Sequence, residues 1–302
     1  MKNYKAFLAG IIILFSIQLQ AQLLNNSEGQ AFTDYPFFNT KFIRASKIKE
    51  IRGKYTFKKQ GDIMRETKYV YVFTFDSLGN LRQHYETAKG DIVNDTSVIF
   101  YTYDGKNNLL SMRTSEKSGF MTKYYSYNDS GQVIKEETWR DIDTLSSVLT
   151  PDIERSLLWN TETMSHEKTA EREIKRIHNS DGNQYMEVSR YKDSLGYLDR
   201  IEELYTITRD KYTTDFTYNK FGWIENIKVL HNLNATPVTE TIFEYGKYGN
   251  LFAKKLYKNG KFTTEYQIIY SQKTGLLSSV LIREVSTNFI SILRFSEPKF
   301  WD

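Results

Sequence analysis

The chain has 302 residues, among them 22 Tyr and 19 Phe, with four prolines and no cysteine. Its formal net charge is +4, from 41 basic and 37 acidic residues, and removal of Lys2 and Lys5 with a leader would lower it to +2. So balanced a charge argues against nucleic acid or an anionic membrane as the partner. The lack of cysteine excludes a disulfide framework and a lipid anchor on a leader cysteine.

The first 21 residues predict an export signal. Lys2 and Lys5 precede an apolar run over residues 6–17, and polar residues 18–22 follow. This is the order of a signal peptide, and we expect cleavage after Ala21, so that the mature chain begins at Gln22. A membrane anchor is the alternative, but the apolar run is shorter than the ~20 residues that span a bilayer. The mature protein is then periplasmic, outer-membrane associated or secreted, and does not span a membrane.

A short phrase recurs eight times after the leader: an aromatic pair, Asp or Asn, a turn glycine and an aliphatic residue. The first copy covers residues 73–81, and further copies cover 101–109, 125–133, 216–224 and 243–251, with looser ones at 178–182, 191–196 and 270–275. Each phrase predicts a β-hairpin whose late glycine takes a positive φ and whose loop contains a bulge. Asp or Asn at the loop entry can accept a backbone N–H. Asn107 replaces the glycine in one copy, and Asn also tolerates this conformation.

Residues that flank these phrases alternate in character with a period of two, which places one set on each face of a sheet. One face of the last phrase is aromatic and apolar, and the other is mostly polar: Phe262, Thr264, Tyr266, Ile268 and Tyr270 against Thr263, Glu265, Gln267 and Ile269. Together with the aromatic content and the few prolines, this pattern predicts an all-β fold.

The phrases are evenly spaced. Gly196, Gly222, Gly249 and Gly275 are 26, 27 and 26 residues apart. A period in this range indicates a repeat protein whose units bury their faces against neighbours. Because no linker divides the chain, we predict one elongated domain over residues 22–302, an antiparallel sheet of repeated hairpins that is either open or curled.

The phrase aromatic-x-Tyr-Asp-x-x-Gly-x-Leu resembles the YD repeat of the rearrangement-hot-spot (Rhs) superfamily. The resemblance covers about residue 41 to the C-terminus and implies curling β-sheets of secreted and surface proteins. The family's Arg-Tyr pair is present only at Arg190-Tyr191, and the period is longer than the family's. The self-cleaving core motif of the family contains Asp-Pro, and no Asp-Pro occurs here. With no toxin-like domain after the last repeat either, the resemblance implies a scaffold and no activity.

The repeat lapses over residues 139–175, and Gly131 and Gly182 are 51 residues apart. Thr150, Pro151 and the acids after them are typical of a helix start, so we predict a short helical insert that packs on the sheet. A degenerate unit with a long loop is the alternative, and such a loop suits a binding site. Residues 36–51, before the first clear unit, predict a short helix or a strand that covers the first edge.

No pattern of catalytic, cofactor-binding or metal-binding residues emerges. His84, His166, His178 and His231 are scattered and are expected at the surface. Single turn acids such as Asp76 and Asp193 lack the dense oxygen set of a calcium site. Glu240, Glu244 and Glu265 are expected as solvated charges on the polar face.

Three classes of function remain. The first is an exported, non-enzymatic β-repeat scaffold or binding protein of the envelope or extracellular space, with a protein or glycan partner. It would bind through an exposed aromatic ledge formed by Tyr212, Phe216, Tyr218, Phe243, Tyr245, Tyr266 and Tyr270. The second is an outer-membrane β-barrel. The charged residues Lys123 and Glu187 argue against it, because they fall on the otherwise apolar face of their strands. The third is a carbohydrate-active enzyme.

Overall fold

A computed structural model describes residues 22–87, 96–144 and 147–302. The predicted leader lies outside these residues. The described part contains one short helix, α1 (Thr40–Ala45), and nineteen strands. The strands are β1 (Ile48–Lys58), β2 (Arg65–Phe75), β3 (Leu81–Thr87), β4 (Thr96–Tyr103), β5 (Leu109–Glu116), β6 (Gly119–Tyr127), β7 (Val133–Asp143), β8 (Ile153–Lys168), β9 (Arg172–His178), β10 (Gln184–Lys192), β11 (Leu198–Tyr205), β12 (Lys211–Tyr218), β13 (Ile224–His231), β14 (Thr239–Tyr245), β15 (Leu251–Lys258), β16 (Lys261–Tyr270), β17 (Leu277–Glu284), β18 (Phe289–Phe295) and β19 (Lys299–Phe300).

The strands form a closed antiparallel barrel. Each strand from β1 to β17 pairs with the next one along the chain, and β1 also pairs with β18. Ile51 of β1 lies opposite Phe73 of β2, and Tyr55 of β1 lies opposite Leu293 of β18. The short β19 adds to β1 where Ile48 meets Phe300. The all-β class and the curled sheet of hairpins predicted from the sequence are confirmed, and the curl is complete.

The repeated phrase forms the hairpin turns that its residues predict. In the first copy Asp76 N donates to Asn80 O and Gly79 N donates to Asp76 O, both at 3.0 Å. The Asp76 carboxylate also accepts the N–H of Leu78 and of Asn80. Gly79 has φ +88°, and Asn107 replaces glycine in the next copy with φ +65°. The same pair of backbone bonds recurs in the turns at 104–108, 128–132, 179–183, 193–197, 219–223 and 246–250.

Most of these turns lie at one end of the barrel, which we call the repeat rim. It carries the turns at 76–80, 104–108, 128–132, 193–197, 219–223, 246–250 and 271–276. The turn at 179–183 lies at the opposite rim, because a short turn between β8 and β9 takes its place in the strand order. This extra hairpin accounts for the doubled spacing between Gly131 and Gly182.

The helix predicted within residues 139–175 is wrong. This segment contains the end of β7, the 16-residue β8 and β9, and β8 pairs with both neighbours along its length. Pro151 lies in the turn before β8 rather than in the first turn of a helix. Two flanking ladders of backbone hydrogen bonds outweigh a helix-start signal of a few residues, since local propensity is a weak prior against tertiary pairing.

The residues before the first repeat form a short helix and then a strand, which were predicted as alternatives. Asn39 caps α1 by accepting the N–H groups of Lys41 and Phe42. The chain then continues as β1, which pairs on both sides and closes the barrel instead of covering an open edge.

The two faces of the wall differ as the alternation predicts. Ile268 points inward and is 3% exposed, whereas its neighbour Ile269 points outward and is 48% exposed. The register shifts between Ile269 and Tyr270, beside the turn, which is the predicted bulge.

Candidate functional site: the barrel lumen and its mouth

Residues 22–45 fold into the barrel from the repeat rim, and we call this segment the plug. Three hydrogen bonds fix its path across the lumen. Asn26 Nδ2 donates to Tyr245 Oη at 2.8 Å, and the ammonium of Lys254 donates to the Ala31 carbonyl at 2.8 Å. On the far side, Tyr101 Oη donates to the Asp34 carbonyl at 2.5 Å. The plug therefore bridges β14 and β15 on one side of the barrel to β4 on the other.

Apolar side chains of the plug form the centre of the protein core. Buried plug residues are Leu23, Leu24, Ala31, Phe37, Phe38 and Ile43. Phe38 packs edge-on against Phe73 and Phe75 of β2, with ring centroids 4.7 and 5.0 Å apart. Inward side chains from β1 to β5 and from β11 to β18 pack around the plug. Burial of these rings and aliphatic groups stabilises the closed barrel.

Several charged and polar side chains enter the lumen along β6 to β11. Lys123 of β6 lies opposite Met112 of β5, which points inward, so Lys123 also points into the lumen. Its ammonium lies 2.7 Å from the Glu136 carboxylate. Tyr185 Oη donates to the Glu162 carboxylate at 2.7 Å, and burial together with this bond raises the pKa of Tyr185. The barrel thus has an apolar side filled by the plug and a side that carries charged residues.

Lys175 of β9 belongs to the charged side. It lies opposite Val188 of β10, two positions along the strand from the pair of Glu173 and Arg190. Burial lowers the pKa of the Lys175 ammonium, and the nearby positive charge of Arg190 lowers it further. The carboxylates of Glu203, Glu136 and Glu162 oppose this shift.

A cleft of about 430 Å³ opens at the repeat rim between the plug and the turns after β10, β12 and β14. Its walls include four aromatic rings, which belong to Tyr197, Tyr218, Trp223 and Tyr245. The rings of Tyr197 and Tyr218 lie 4.9 Å apart between centroids, and those of Trp223 and Tyr245 lie 5.4 Å apart. We call this the mouth cleft.

Polar groups line the rest of the mouth cleft. The plug contributes Gln22, Asn26 and Glu28, and β10 contributes Arg190 and Lys192. Apolar rings with a few convergent polar groups are the usual make-up of a small-molecule site, and barrel mouths are a common place for one.

The aromatic stripe expected as an exposed ledge faces the lumen instead. Phe216 and Phe243 are buried, at 8% and 2% exposure, and the stripe's tyrosines are half-buried. The prediction of an exposed aromatic ledge is therefore wrong, because closure of the sheet turns the aromatic face inward and the plug covers it. Tyr218 and Tyr245 still reach the mouth cleft.

The histidines and carboxylates singled out in the sequence lie apart. His84 is inward rather than at the surface, stacked 4.8 Å from Phe73, and burial lowers its pKa to about 4. Glu244 and Glu265 point outward, as expected, and pair with Lys255 and Arg283. Among the described residues, no group of three or more His, Asp or Glu side chains could hold a metal ion.

Sequence reasoning missed the plug and the charged side of the lumen. The inward charge of Lys123 was visible as a break in the apolar alternation, whereas Glu187 proves to point outward and pairs with Arg176 at 3.2 Å. The cleft-lining role of Trp223 had no signal, because it depends on which turns meet when the barrel closes.

Ion pairs occur on the outward face of several strands. Cross-strand and same-strand ion pairs join Arg52 to Glu50, Arg113 to Asp141, Arg176 to Glu187, Lys211 to Glu202, Lys255 to Glu244 and Arg283 to Glu265. Within residues 22–87, 96–144 and 147–302, no helix has the length and apolar character needed to span a membrane.

Comparisons with known proteins give weak likenesses of fold. No protein-family model matches the chain, and no curated protein matches its sequence. A porin-like protein from Bacteroides uniformis is 10% identical with a TM-score of 0.38, over 83% of this chain and 96% of that one. A porin-like protein from Bacteroides vulgatus is 12% identical with a TM-score of 0.29, over 80% of this chain and 96% of that one. The TcdB2-TccC3 structure is 11% identical with a TM-score of 0.25, and the match covers 82% of this chain and 16% of that one. Values this low carry no argument about function.

Proposed function

We propose that this chain is an exported, non-enzymatic β-barrel protein of the cell envelope that binds a carbohydrate in its mouth cleft. The observation that carries the proposal is the cleft itself, where four aromatic rings face polar side chains of the plug. Tyr and Trp rings offer a flat apolar surface with a polar edge, which suits a ligand that has both apolar faces and hydroxyl groups. Asn26 and Gln22 add amide groups that can both donate and accept hydrogen bonds.

Binding is proposed rather than hydrolysis because of the carboxylates at the cleft. Glycoside hydrolysis uses a pair of carboxylic acids that flank the scissile bond. Glu28 is the one carboxylate among the described residues that line the mouth cleft. The aromatic rings and amides therefore account for recognition, and a second acid for catalysis is missing from this lining.

We infer export from the predicted leader. The charged residues on the outer face of the wall favour water, rather than lipid, around the mature barrel. An Arg or Lys on the lipid-facing side of a barrel costs about 2–4 kcal/mol near the bilayer midplane. Arg176, Lys255 and Arg283 point outward from different parts of the wall. In water these residues form ion pairs at little cost. The phrase that builds the wall supports the relationship to YD-repeat proteins, which we also propose.

An outer-membrane β-barrel is the second candidate. A closed barrel of 18 strands fits this candidate better than an open scaffold sheet does, and an even strand number and a plugged lumen are both found in such barrels. Its requirement is an outward apolar band, and ion pairs interrupt the outward surface here. Partition between membrane and aqueous fractions separates the two candidates.

The experiment that tests carbohydrate binding uses the mature protein and four probes of matched length: oligomers of glucose, galactose, glucuronic acid and galacturonic acid. Isothermal titration calorimetry measures the dissociation constant of each. We expect at least one probe to bind, and Trp223→Ala to weaken that binding about tenfold or more through loss of the cleft's largest ring. Trp159→Ala is the matched control, because Trp159 is 72% exposed on β8 and should leave binding unchanged. Absence of binding to all four probes would reject the proposal.

A further inference from the structure

Arg190 belongs to two cavities. It lines the mouth cleft, and it also lines a second cavity of about 590 Å³ that extends along β7 to β10. Side chains of His166, Lys168, Glu173 and Lys175 line the second cavity. The guanidinium of Arg190 thus lies between the aromatic rings at the rim and the charged side of the lumen.

The carboxylates that line the second cavity are already paired with other cations. Glu173 is the carboxylate in register with Arg190, but Lys192 at 3.1 Å and Lys168 at 3.5 Å already pair with it. Glu167, at the edge of the second cavity, is held by Arg176 at 2.8 Å. Among the residues that the structure describes, no carboxylate lies within ion-pairing distance of either Lys175 or Arg190.

An anion is the natural complement to such a pair of cations. An ammonium and a guanidinium that lack a protein carboxylate can each form charge-assisted hydrogen bonds to a ligand carboxylate, and Arg offers a two-pronged geometry for it. Half-burial of Lys175 strengthens this attraction relative to bulk water. The aromatic rings of Tyr197 and Tyr218 border Arg190 within the same cleft.

We propose that Arg190, supported by Lys175, is an acid-recognising subsite and that the preferred ligand is a carbohydrate with a carboxylate, a uronic acid. This inference rests on the proposed carbohydrate binding and specifies its ligand class. The sugar ring packs on the mouth-cleft aromatics, and its carboxylate extends past Tyr218 toward Arg190. Lys192 and Lys168 balance the negative charge of Glu173.

The test compares each acidic probe with its neutral counterpart by calorimetry at low ionic strength. We expect the uronic acid oligomers to bind at least tenfold more tightly than the neutral oligomers. Arg190→Gln should remove most of this preference, because it weakens binding of the acidic oligomer far more than binding of the neutral one. Lys175→Gln should reduce the preference by a smaller factor. Arg155→Gln is the control, since Arg155 is exposed at the start of β8, at the opposite rim.

The outcomes separate this inference from the proposed function. Equal binding of neutral and acidic oligomers, with loss of both in Trp223→Ala, would overturn the acidic subsite and leave carbohydrate binding intact. Binding of neither class would overturn both. Inorganic phosphate is titrated alone as a further arm, and an affinity equal to that of the uronic acids would indicate a simple anion site and overturn the sugar assignment. Circular dichroism of each variant confirms that the barrel has folded.

Discussion

The hydroxyl of Tyr127 donates a hydrogen bond to the backbone carbonyl of Leu109, 2.7 Å away and 18 residues earlier in the chain. Tyr127 ends the strand before one turn of the repeat rim, and Leu109 begins the strand after the preceding turn. The same bond joins Tyr103 to Leu81, Tyr218 to Leu198 and Tyr270 to Leu251, at 2.8 to 3.0 Å. In these four copies the tyrosine before the turn ties that turn to the start of the preceding hairpin's second strand.

Tyr127→Phe should lower the free energy of unfolding by about 1–2 kcal/mol, because it removes this bond and keeps the ring. Chemical denaturation of the mature protein measures the change. Tyr248→Phe is the control, since Tyr248 is 72% exposed at the rim, and it should be neutral. Equal stability of the two variants would mean that the repeated bond contributes nothing measurable.

Replacement of Gly249 by Val should destabilise the barrel more than replacement of Gly275. Both glycines have a positive φ, at +83° and +69°, so a β-branched residue costs about 1–3 kcal/mol at either position. A Cβ at Gly249 would also meet Gln22 and the ring of Trp223, whereas a Cβ at Gly275 meets nothing within 4 Å. Thermal unfolding compares the two variants with the wild type. A melting temperature for Gly249→Val equal to the wild-type value would contradict the turn assignment, and equal losses at both sites would contradict the contact with Trp223.

The buried ammonium of Lys254 should make stability depend on alkaline pH. Burial lowers its pKa from 10.5 to about 8, and its hydrogen bond goes to the uncharged Ala31 carbonyl. Between these two values the unfolded chain binds more protons than the folded one, so the free energy of unfolding rises with pH. Burial of the charged ammonium lowers the free energy of unfolding by its full amount below pH 8, and this loss is relieved as the pH approaches 10.5. The free energy of unfolding should rise by on the order of 3 kcal/mol over this range.

Lys254→Met should therefore flatten the rise in stability between pH 8 and 10.5 relative to the wild type, as measured by urea unfolding at a series of pH values. Lys255→Met is the matched control from the next residue, which points outward and pairs with Glu244. An unchanged slope in Lys254→Met would show that the ammonium of Lys254 is solvated and that the plug does not bury it.

His84 should make stability depend on acidic pH in the same sense. Burial lowers its pKa from 6.5 to about 4, so the unfolded chain binds the extra proton between these values. Stability should fall as the pH decreases from 6.5 to 4. Its Nε2 atom has no hydrogen-bond partner among the described residues. His84→Phe, which keeps a ring against Phe73, should lose less stability over this range than the wild type, and equal acid loss in both proteins would disprove the assignment.

The sequence predicts the strands and turns of the barrel wall, but it does not predict the plug and the lumen that the wall encloses. The turn geometry is set by residues close together in the chain, such as Asp76 and Gly79. The alternation of Ile268 and Ile269 likewise assigns the inward and outward faces within a few residues. These features depend on neighbours in the chain, so the sequence predicts them.

Closure and the plug depend on contacts far apart in the chain. Lys254 and Ala31 are 223 residues apart, and no local pattern indicates that they meet. The segment at Thr150 was assigned to a helix for a related reason: its cap-like residues were visible, but the pairing of β8 with β7 and β9 was not. Lys175 and Arg190 likewise become a site only when the inward faces of β9 and β10 are known.

The proposed function requires a barrel that has water on its outer wall and a ligand at its mouth. Extraction of membranes with alkaline carbonate, after expression of the full chain in a Gram-negative host, tests the first part directly. We predict that the mature protein appears in the soluble fraction and remains folded and monodisperse without detergent, because its outward ion pairs face water. Retention in the carbonate-washed membrane, with folding only in detergent, would contradict the proposed function and favour the outer-membrane barrel.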